Sequence, residues 1–301
     1  MTARVSAVIV SFNTREHLLR CVASLETHAS LPMEVIVVDN GSHDGSVAAL
    51  RAAHPDVRVL ENGANLGFAA ACNRGLREAR APYCLLINSD AEVCPGAVAA
   101  LAAVLDEQPE VGIAGPRTVG PDGGPQVSFG PDLTPLAEWR QRRLVVALRE
   151  GKAAAVREVV ALSALEQEPV WVSGSCLLAR KTALDAVGGL DERFFLYEED
   201  VDLCLRVRRA GWRILYTPRA LVRHHLGKSM ETAPARSRLE YDKSHLRFYA
   251  KHRGLGARAL LRAYLAGSAA AGWVAALGPG PGRRERRRER RDAFRIAVAG
   301  P

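Results

Sequence analysis

The apolar positions of the first hundred residues fall into short buried runs separated by stretches of helical period. Val5 to Val10 reads as a strand, Glu16 to Thr27 as a helix, Val35 to Val38 as a strand and Ser46 to Ala53 as a helix. Two more rounds follow, with Val57 to Leu60 and Tyr83 to Ile87 as strands and Phe68 to Arg80 and Gly96 to Glu107 as helices. Strands alternating with helices of this length predict a mostly parallel α/β sheet with crossover helices. In such sheets the ligand crevice lies where the loops after the strands gather.

Beyond residue 110 the pattern changes. Gly112 to Pro135 is dense in glycine and proline, which predicts a pause in regular structure. Leu136 to Glu166 is charged and alanine-rich, as expected of a helical, mobile insert within a variable region of about 120–168. Val170 to Ala179 reads as a strand, Lys181 to Val187 as a short helix, and Glu199 to Ala210 as a helix entered through the aromatic loop Phe194-Phe195-Leu196-Tyr197. Arg213 to Tyr216 and Ala220 to His224 read as short strands and Ser237 to His252 as a helix. The expected organisation is a catalytic domain over 1–253 and a helical extension over 254–301, made of the apolar segment Leu255 to Leu277 and an arginine run.

A chain of 301 residues that is 48% hydrophobic can bury a substantial core. Of the net charge of +8, five come from Arg283 to Arg295, so the basic character belongs to the tail. The six cysteines contain no C-x-x-C pair and read as buried free thiols. With no charged leader ahead of the first strand, they predict a cytoplasmic protein. No stretch reaches the roughly 18 apolar residues of a membrane span.

Candidate chemistry sits at strand ends. The run Tyr83 to Ile87 stops at Asn88-Ser89-Asp90, delivering a carboxylate to the sheet edge. One carboxylate suits a divalent cation whose other ligands are phosphates and water, the reading favoured for Asp90 over the competing one of a helix cap. Ser11, Asn13, Asp39, Asn40 and Ser42 follow the first two strands and can hydrogen-bond a base and ribose; a turn with capping residues is the competing reading. Asn65 and Gly67 precede the third helix, where free N–H groups can face a phosphate, and Asn73 on that helix is either pocket lining or surface. His224 and His225 end a later strand; alternation sends them to opposite faces, so at most one joins the site. Glu198, Glu199, Asp200 and Asp202 open a helix, where the dipole favours acids whatever their role, and Asp202 with Arg206 is an i, i+4 pair. Like charges around Asp200 raise its pKa toward a range useful for taking a proton. No G-x-x-x-x-G-K-[ST] or strand-linked G-x-G-x-x-G is present, which disfavours a P-loop or classical dinucleotide enzyme.

Taken in order, these blocks resemble the family 2 glycosyltransferases of the GT-A fold, in their bacterial rhamnosyltransferase-like branch. The resemblance is carried by Val8-Ile9-Val10-Ser11-Phe12-Asn13, Val37-Val38-Asp39-Asn40-Gly41-Ser42-His43-Asp44-Gly45, Asn65-Leu66-Gly67-Phe68, Leu85-Leu86-Ile87-Asn88-Ser89-Asp90 and Phe194 to Leu203, over roughly residues 5–253. It implies a Rossmann-like nucleotide-binding fold and inverting, metal-dependent sugar transfer from a dTDP- or UDP-sugar to a hydroxyl of a glycan or lipid-linked acceptor. By resemblance Asp39 contacts the base, Asn88 and Ser89 join the nucleotide-sugar site, and Asp90 binds magnesium or manganese. His224, in His-x-x-Gly-x-Ser, adds a metal or diphosphate contact. Asp200 looks like the base, with Glu199 beside it. Asn88 stands where many members have Asp, and Glu198 where glycine is frequent. Trp171, Ser173, Gly174 and Asp202 are the expected acceptor side, Trp171 being equally suited to the core.

The tail reads as an apolar helix lying at a membrane interface with arginines meeting anionic lipid, which predicts peripheral attachment at the inner face of the cell membrane. A solvated charged helix is the bland alternative. Nucleic acid is not expected, because no aromatic residues interleave the arginines. The rival classes are a sugar-phosphate nucleotidyltransferase, whose glycine- and lysine-rich N-terminal signature is absent, and a non-catalytic nucleotide-sugar binding domain.

Overall fold

The computed structural model describes residues 2–225, 234–275 and 283–300. Two compact units emerge: Met1–Arg193 with Glu199–Gly227, and Phe194–Glu198 with Lys228–Pro301. The sequence-based boundary at 253 therefore falls inside the second unit.

In the first unit β1 (Val5–Ser11), α1 (Arg15–His28), β2 (Met33–Asp39), α2 (Ser46–Ala53), β3 (Arg58–Glu61), α3 (Phe68–Glu78) and β4 (Tyr83–Asn88) follow the expected alternation. β5 (Ala91–Val93), α4 (Ala97–Glu107), β6 (Val111–Val119), β7 (Phe129–Gly130), α5 (Pro135–Arg149), α6 (Ala153–Leu162), β8 (Trp171–Val172), β9 (Cys176–Arg180), α7 (Lys181–Val187), α8 (Glu199–Arg209) and β10 (Arg213–His224) complete it. The eight-stranded sheet has the order β3-β2-β1-β4-β9-β6-β10-β5. β3, β2, β1 and β4 run parallel, as do β6 and β10, while β9 lies antiparallel between β4 and β6 and β5 lies antiparallel on β10.

Strand alternation sorts the core. Ile9, Val37, Leu85 and Ile87 face α1 and α4 in one apolar cluster with Leu18, Leu25, Leu101 and Leu105. Val8 and Val38 face the other way, onto Gly75 of α3, where any Cβ would stand 2.4 Å from Val8. Each fully buried aliphatic side chain contributes about 1.5–3 kcal/mol, so the strand ends that carry Asp39 and Asn88 emerge from a fixed framework.

Three expectations change. The pause predicted from Gly112 gives way to β6, because Gly112 and Gly115 serve close packing rather than a turn: added Cβ atoms would lie 2.8 Å from Trp212 and 2.6 Å from Val172. The strand expected over Val170 to Ala179 breaks at Ser173-Gly174-Ser175 into β8 and β9. The two short strands after Arg213 are one, with a register shift between Thr217 and Leu221. The insert forms two helices on a paired stem. β7 pairs β8, Trp171 Nε1 donates to the Pro131 carbonyl at 2.9 Å, and Gln167 and Tyr216 exchange backbone hydrogen bonds. Thr134 Oγ1 caps α5 by accepting from the Ala137 N–H.

The second unit holds α9 (Pro234–His252), α10 (Leu255–Ala275) and α11 (Arg283–Ala299). His245 is fully buried between Tyr241 and Tyr249, and its Nδ1 lies 2.5 Å from Glu198 Oε1. That contact holds Glu198 in the left-handed region at φ 64, a conformation that glycine adopts without strain. α10 and α11 run antiparallel: Arg287 lies over the Trp273 ring, Arg290 against Gly272, and Arg262 donates to the Val298 carbonyl. Among the described residues no helix is long and apolar enough to cross a membrane.

Candidate functional site

β4 ends at Asn88 and the chain turns through Ser89 and Asp90 into β5, whose antiparallel pairing with β10 sets Ala91 opposite His224. This register brings His224 Nε2 to 3.3 Å from Asp90 Oδ1, and the His225 N–H donates to the Asp90 carbonyl at 2.9 Å. The side chain of His225 goes elsewhere, to Glu92 Oε1 at 2.7 Å and beside the His17 ring. Gln126 Nε2 fixes the His224 carbonyl at 2.9 Å. Gly227 and Ser229, the rest of the His-x-x-Gly-x-Ser stretch, lie outside the described residues.

The second acid approaches the same strand end through the break between β8 and β9. The Asn88 N–H donates to the Ser175 carbonyl at 3.0 Å. One residue earlier, the Gly174 N–H donates to Asp200 Oδ2 at 2.7 Å. The Val201 N–H donates to Oδ1 at 2.8 Å. A single three-residue loop thus touches both the approach to Asp90 and the carboxylate of Asp200. Burial pushes the Asp200 carboxyl above the ordinary carboxylate range, while the amides of Gly174 and Val201 pull it back.

At the end of β2, Asp39 is 3% exposed. Its Oδ2 accepts from the N–H groups of Gly41 and Ser42, at 3.0 and 2.9 Å. Its Oδ1 is buried with no hydrogen-bond partner among the described residues, an acceptor left for something else. The turn is tight enough to require Gly41, whose φ is +79 and whose Cβ would stand 3.0 Å from the Ala64 backbone. Asn40 is buried and its amide is taken up by Asn62, Asn65 and the Gly67 carbonyl, so it holds the loop. Asn65 Oδ1 also accepts from the Gly67 N–H.

Comparison with known proteins decides the family. Residues 6–161 match Glycosyl transferase family 2. An N-acetylglucosaminyl-diphospho-decaprenol L-rhamnosyltransferase of Mycobacterium tuberculosis is 35% identical over 292 residues, covering 90% of this chain and 92% of that protein.

The chain belongs to glycosyl transferase family 2.

It is a hexosyltransferase with the GT-A fold. The mannosyltransferase PcManGT from Pyrobaculum calidifontis, solved with GDP-Man and Mn2+, superposes with a TM-score of 0.60 at 17% identity, covering 100% of this chain and 87% of that one. S. aureus TarS 1–349 gives a TM-score of 0.54 at 15% identity, covering 98% and 90%.

Within this glycosyltransferase several residues picked from sequence are engaged by the protein itself. Asn73 donates to the Leu190 carbonyl and Glu192 and accepts from the Leu190 N–H, which ties its amide to the turn after α7. Asp202 is fully buried with Arg206 at 2.7 Å, and Arg206 also donates to the carbonyls of Val187 and Gly189, so this pair braces the same turn. Trp171 is 8% exposed and packs on Gly130, which settles it in the core of the stem. Ser173 Oγ accepts from the Ser175 N–H at 3.2 Å and sits in the loop that carries Gly174. Glu199 is buried at the start of α8. Asn13 Oδ1 accepts from His43 N–H, and Ser42 Oγ accepts from Asn13 N–H, tying the first two strand-end loops together.

Sequence reading missed Thr14. Its hydroxyl lies 3.2 Å from that of buried Ser11 and donates to Ser89 Oγ at 2.9 Å, linking the loop after β1 to the turn before Asp90. The spacing of 75 residues between Thr14 and Ser89 leaves no local signal. Ser175, whose carbonyl joins β4 to the Asp200 loop, was hidden for the same reason.

Proposed function

We propose that this glycosyltransferase moves L-rhamnose from a nucleoside diphosphate sugar of the dTDP or UDP class to a hydroxyl of a lipid-linked N-acetylglucosaminyl diphosphate, in cell-envelope polysaccharide synthesis. The sugar and acceptor rest on the name of the Mycobacterium tuberculosis relative. The observation that carries the chemistry is the loop 173–175, which bonds Asp200 through Gly174 and the end of β4 through Ser175.

Asp39 presents its buried free oxygen to the imide N–H of a pyrimidine base, and Gly41, Ser42, Asn65 and Gly67 shape the loop around it. Asp200 takes the proton of the acceptor hydroxyl as that oxygen attacks the anomeric carbon, opposite the departing diphosphate, so configuration inverts. Its raised pKa makes it a stronger base than an exposed carboxylate, and the two backbone amides fix its orientation. Glu199, the second catalytic acid in this reading, precedes it in the chain and is buried at the start of α8. Asn88 and Ser89 line the donor side, with Thr14 holding Ser89.

Asp90 and His224 are the residues that would hold a divalent cation, magnesium or manganese. Their donor atoms stand 3.3 Å apart, close enough for both to serve one ion. Among the described residues no cluster of three or more His, Cys, Asp or Glu suits a metal, which fits an ion completed by substrate phosphates and water. Such an ion neutralises charge that grows on a leaving diphosphate.

The tail supports a location at the inner membrane face. The exposed side of α10 carries Leu260, Tyr264, Ala271 and Val274 without a charge, while Arg258 and Arg262 lie toward its packed side. α11 exposes Arg288, Arg291 and Arg295. An uncharged helix face and arginines on a neighbouring helix suit anionic headgroups.

The test is incubation with dTDP-rhamnose and other nucleotide sugars plus a lipid-linked acceptor, with and without EDTA. Release of free nucleoside diphosphate, suppressed by chelation, is expected. Release of pyrophosphate indicates a nucleotidyltransferase, and binding without turnover a degenerate module.

A further inference from the structure

α5 turns three of its large apolar side chains outward, while Leu144, Val145 and Leu148 are partly buried. Leu136, Trp139 and Val146 are 57%, 53% and 52% exposed, and no residue of the helix is buried. These three positions fall on one helical stripe with Arg140 and Arg143, both also exposed. Arg143 lies 4.7 Å from the centre of the Trp139 ring. The helix carries four arginines and one acid, Glu138, which is engaged by Arg142 at 2.7 Å and lies off the stripe.

A helix serving only to cover the protein would turn Leu and Trp inward and arginine outward. Here Leu136, Trp139 and Val146 point outward together with Arg140 and Arg143, which is the composition of a helix face lying in the headgroup layer: tryptophan at the interface, aliphatics below it, arginines on anionic phosphates. A second copy of the chain is a poorer occupant, because a symmetric contact would set these arginines against each other. We propose that the outward face of α5 docks the catalytic unit on an anionic phospholipid surface.

The placement of α5 gives the contact a purpose, which rests on the lipid-linked acceptor proposed above, whereas the residues of the contact do not. The insert is rooted in β7 and β8, and β8 runs directly into Ser173 and Gly174, the loop that holds Asp200. Its other end is stitched to β10 through Gln167 and Tyr216, and the Tyr216 hydroxyl donates to the Ser163 carbonyl at 2.9 Å. A bilayer bound at α5 is therefore held by the segment that flanks the acceptor side of the base.

The experiment uses the full chain, sedimented with phosphatidylcholine vesicles with and without phosphatidylglycerol, and with brominated-acyl phosphatidylglycerol as a quencher of tryptophan emission. Wild-type protein is expected to bind the anionic vesicles and be quenched. Trp139→Ala should lose a distinct part of that quenching, and Arg140→Glu with Arg143→Glu should weaken binding roughly tenfold or more. Trp139→Phe should restore binding. Nucleoside diphosphate release with a water-soluble acceptor should be unchanged in all of them, and unchanged circular dichroism shows that they fold. Quenching in Trp139→Ala equal to wild type, or binding by the double arginine variant equal to wild type, overturns the proposal. So does a concentration-dependent dimer in light scattering that Leu136→Glu abolishes. If no nucleotide sugar is turned over by wild type, the rhamnosyl-transfer reading fails while the vesicle result stands on its own.

Discussion

The backbone amide of Gly174 donates a 2.7 Å hydrogen bond to Oδ2 of Asp200. A Cβ at residue 174 would stand 3.0 Å from the Asp200 Cβ, so the contact depends on glycine. Gly174→Ala should displace the carboxylate from its line to the acceptor and lower kcat by roughly tenfold to a hundredfold, the scale of a small misplacement of a reacting group. The KM for the donor should hold. Steady-state kinetics with each substrate varied in turn checks this; a loss confined to donor KM contradicts it.

Asp90 and His224 make a second prediction. His224→Ala should raise the metal concentration giving half-maximal activity by about 10- to 100-fold, the range found when a group supporting a metal is removed. Asp90→Ala should abolish metal-dependent turnover. Manganese titrations of EDTA-stripped enzyme measure both, and wild-type titration curves in both variants would remove the pair from the metal's shell.

Asp39 offers one buried acceptor that has no hydrogen-bond partner among the described residues. Asp39→Ala loses this acceptor and frees the Gly41 and Ser42 amides, so affinity for dTDP and UDP should fall by about 1–3 kcal/mol. Calorimetric titration measures the loss. Equal binding by mutant and wild type contradicts the assignment of Asp39 to the base.

Gly115 tests the reading of β6. Its Cβ would meet Val172 at 2.6 Å inside the sheet, so Gly115→Ala should destabilise the protein by about 1–3 kcal/mol, visible as a lower Tm. Gly123, with open space around it, is the control for substitutions at non-contact glycines, although its φ of +81 still strains alanine.

Much of this was legible in the chain because strand-end acids announce themselves. An apolar run that stops at Asp39, or at Asn88-Ser89-Asp90, reports both a buried strand and the polar group it delivers. Glycine misled, since Gly112 and Gly115 look like turn residues but answer close contacts with Trp212 and Val172 that only the fold creates. Asp202 and Arg206 were readable as a pair, but their burial depends on carbonyls of Val187 and Gly189 from another segment. The partners of Asn73, Leu190 and Glu192, were out of reach for the same reason, lying more than a hundred residues away. The outward apolar face of α5 was invisible because composition gives the residues of a helix but not the side it turns to its neighbours.

The central claim is that Asp200 is the base. A base must be ionised to act, and the folded pKa of Asp200 is raised by burial, so activity should fall as pH drops through a value above the ordinary carboxylate range. The decisive measurement is the pH profile of kcat/KM for nucleoside diphosphate release, in wild type and Asp200→Asn. The expected result is an acidic limb displaced upward in wild type, and in Asp200→Asn a loss of about 10²- to 10⁴-fold with that limb gone and donor binding retained. Turnover by Asp200→Asn near the wild-type rate, with the same acidic limb, would contradict the account.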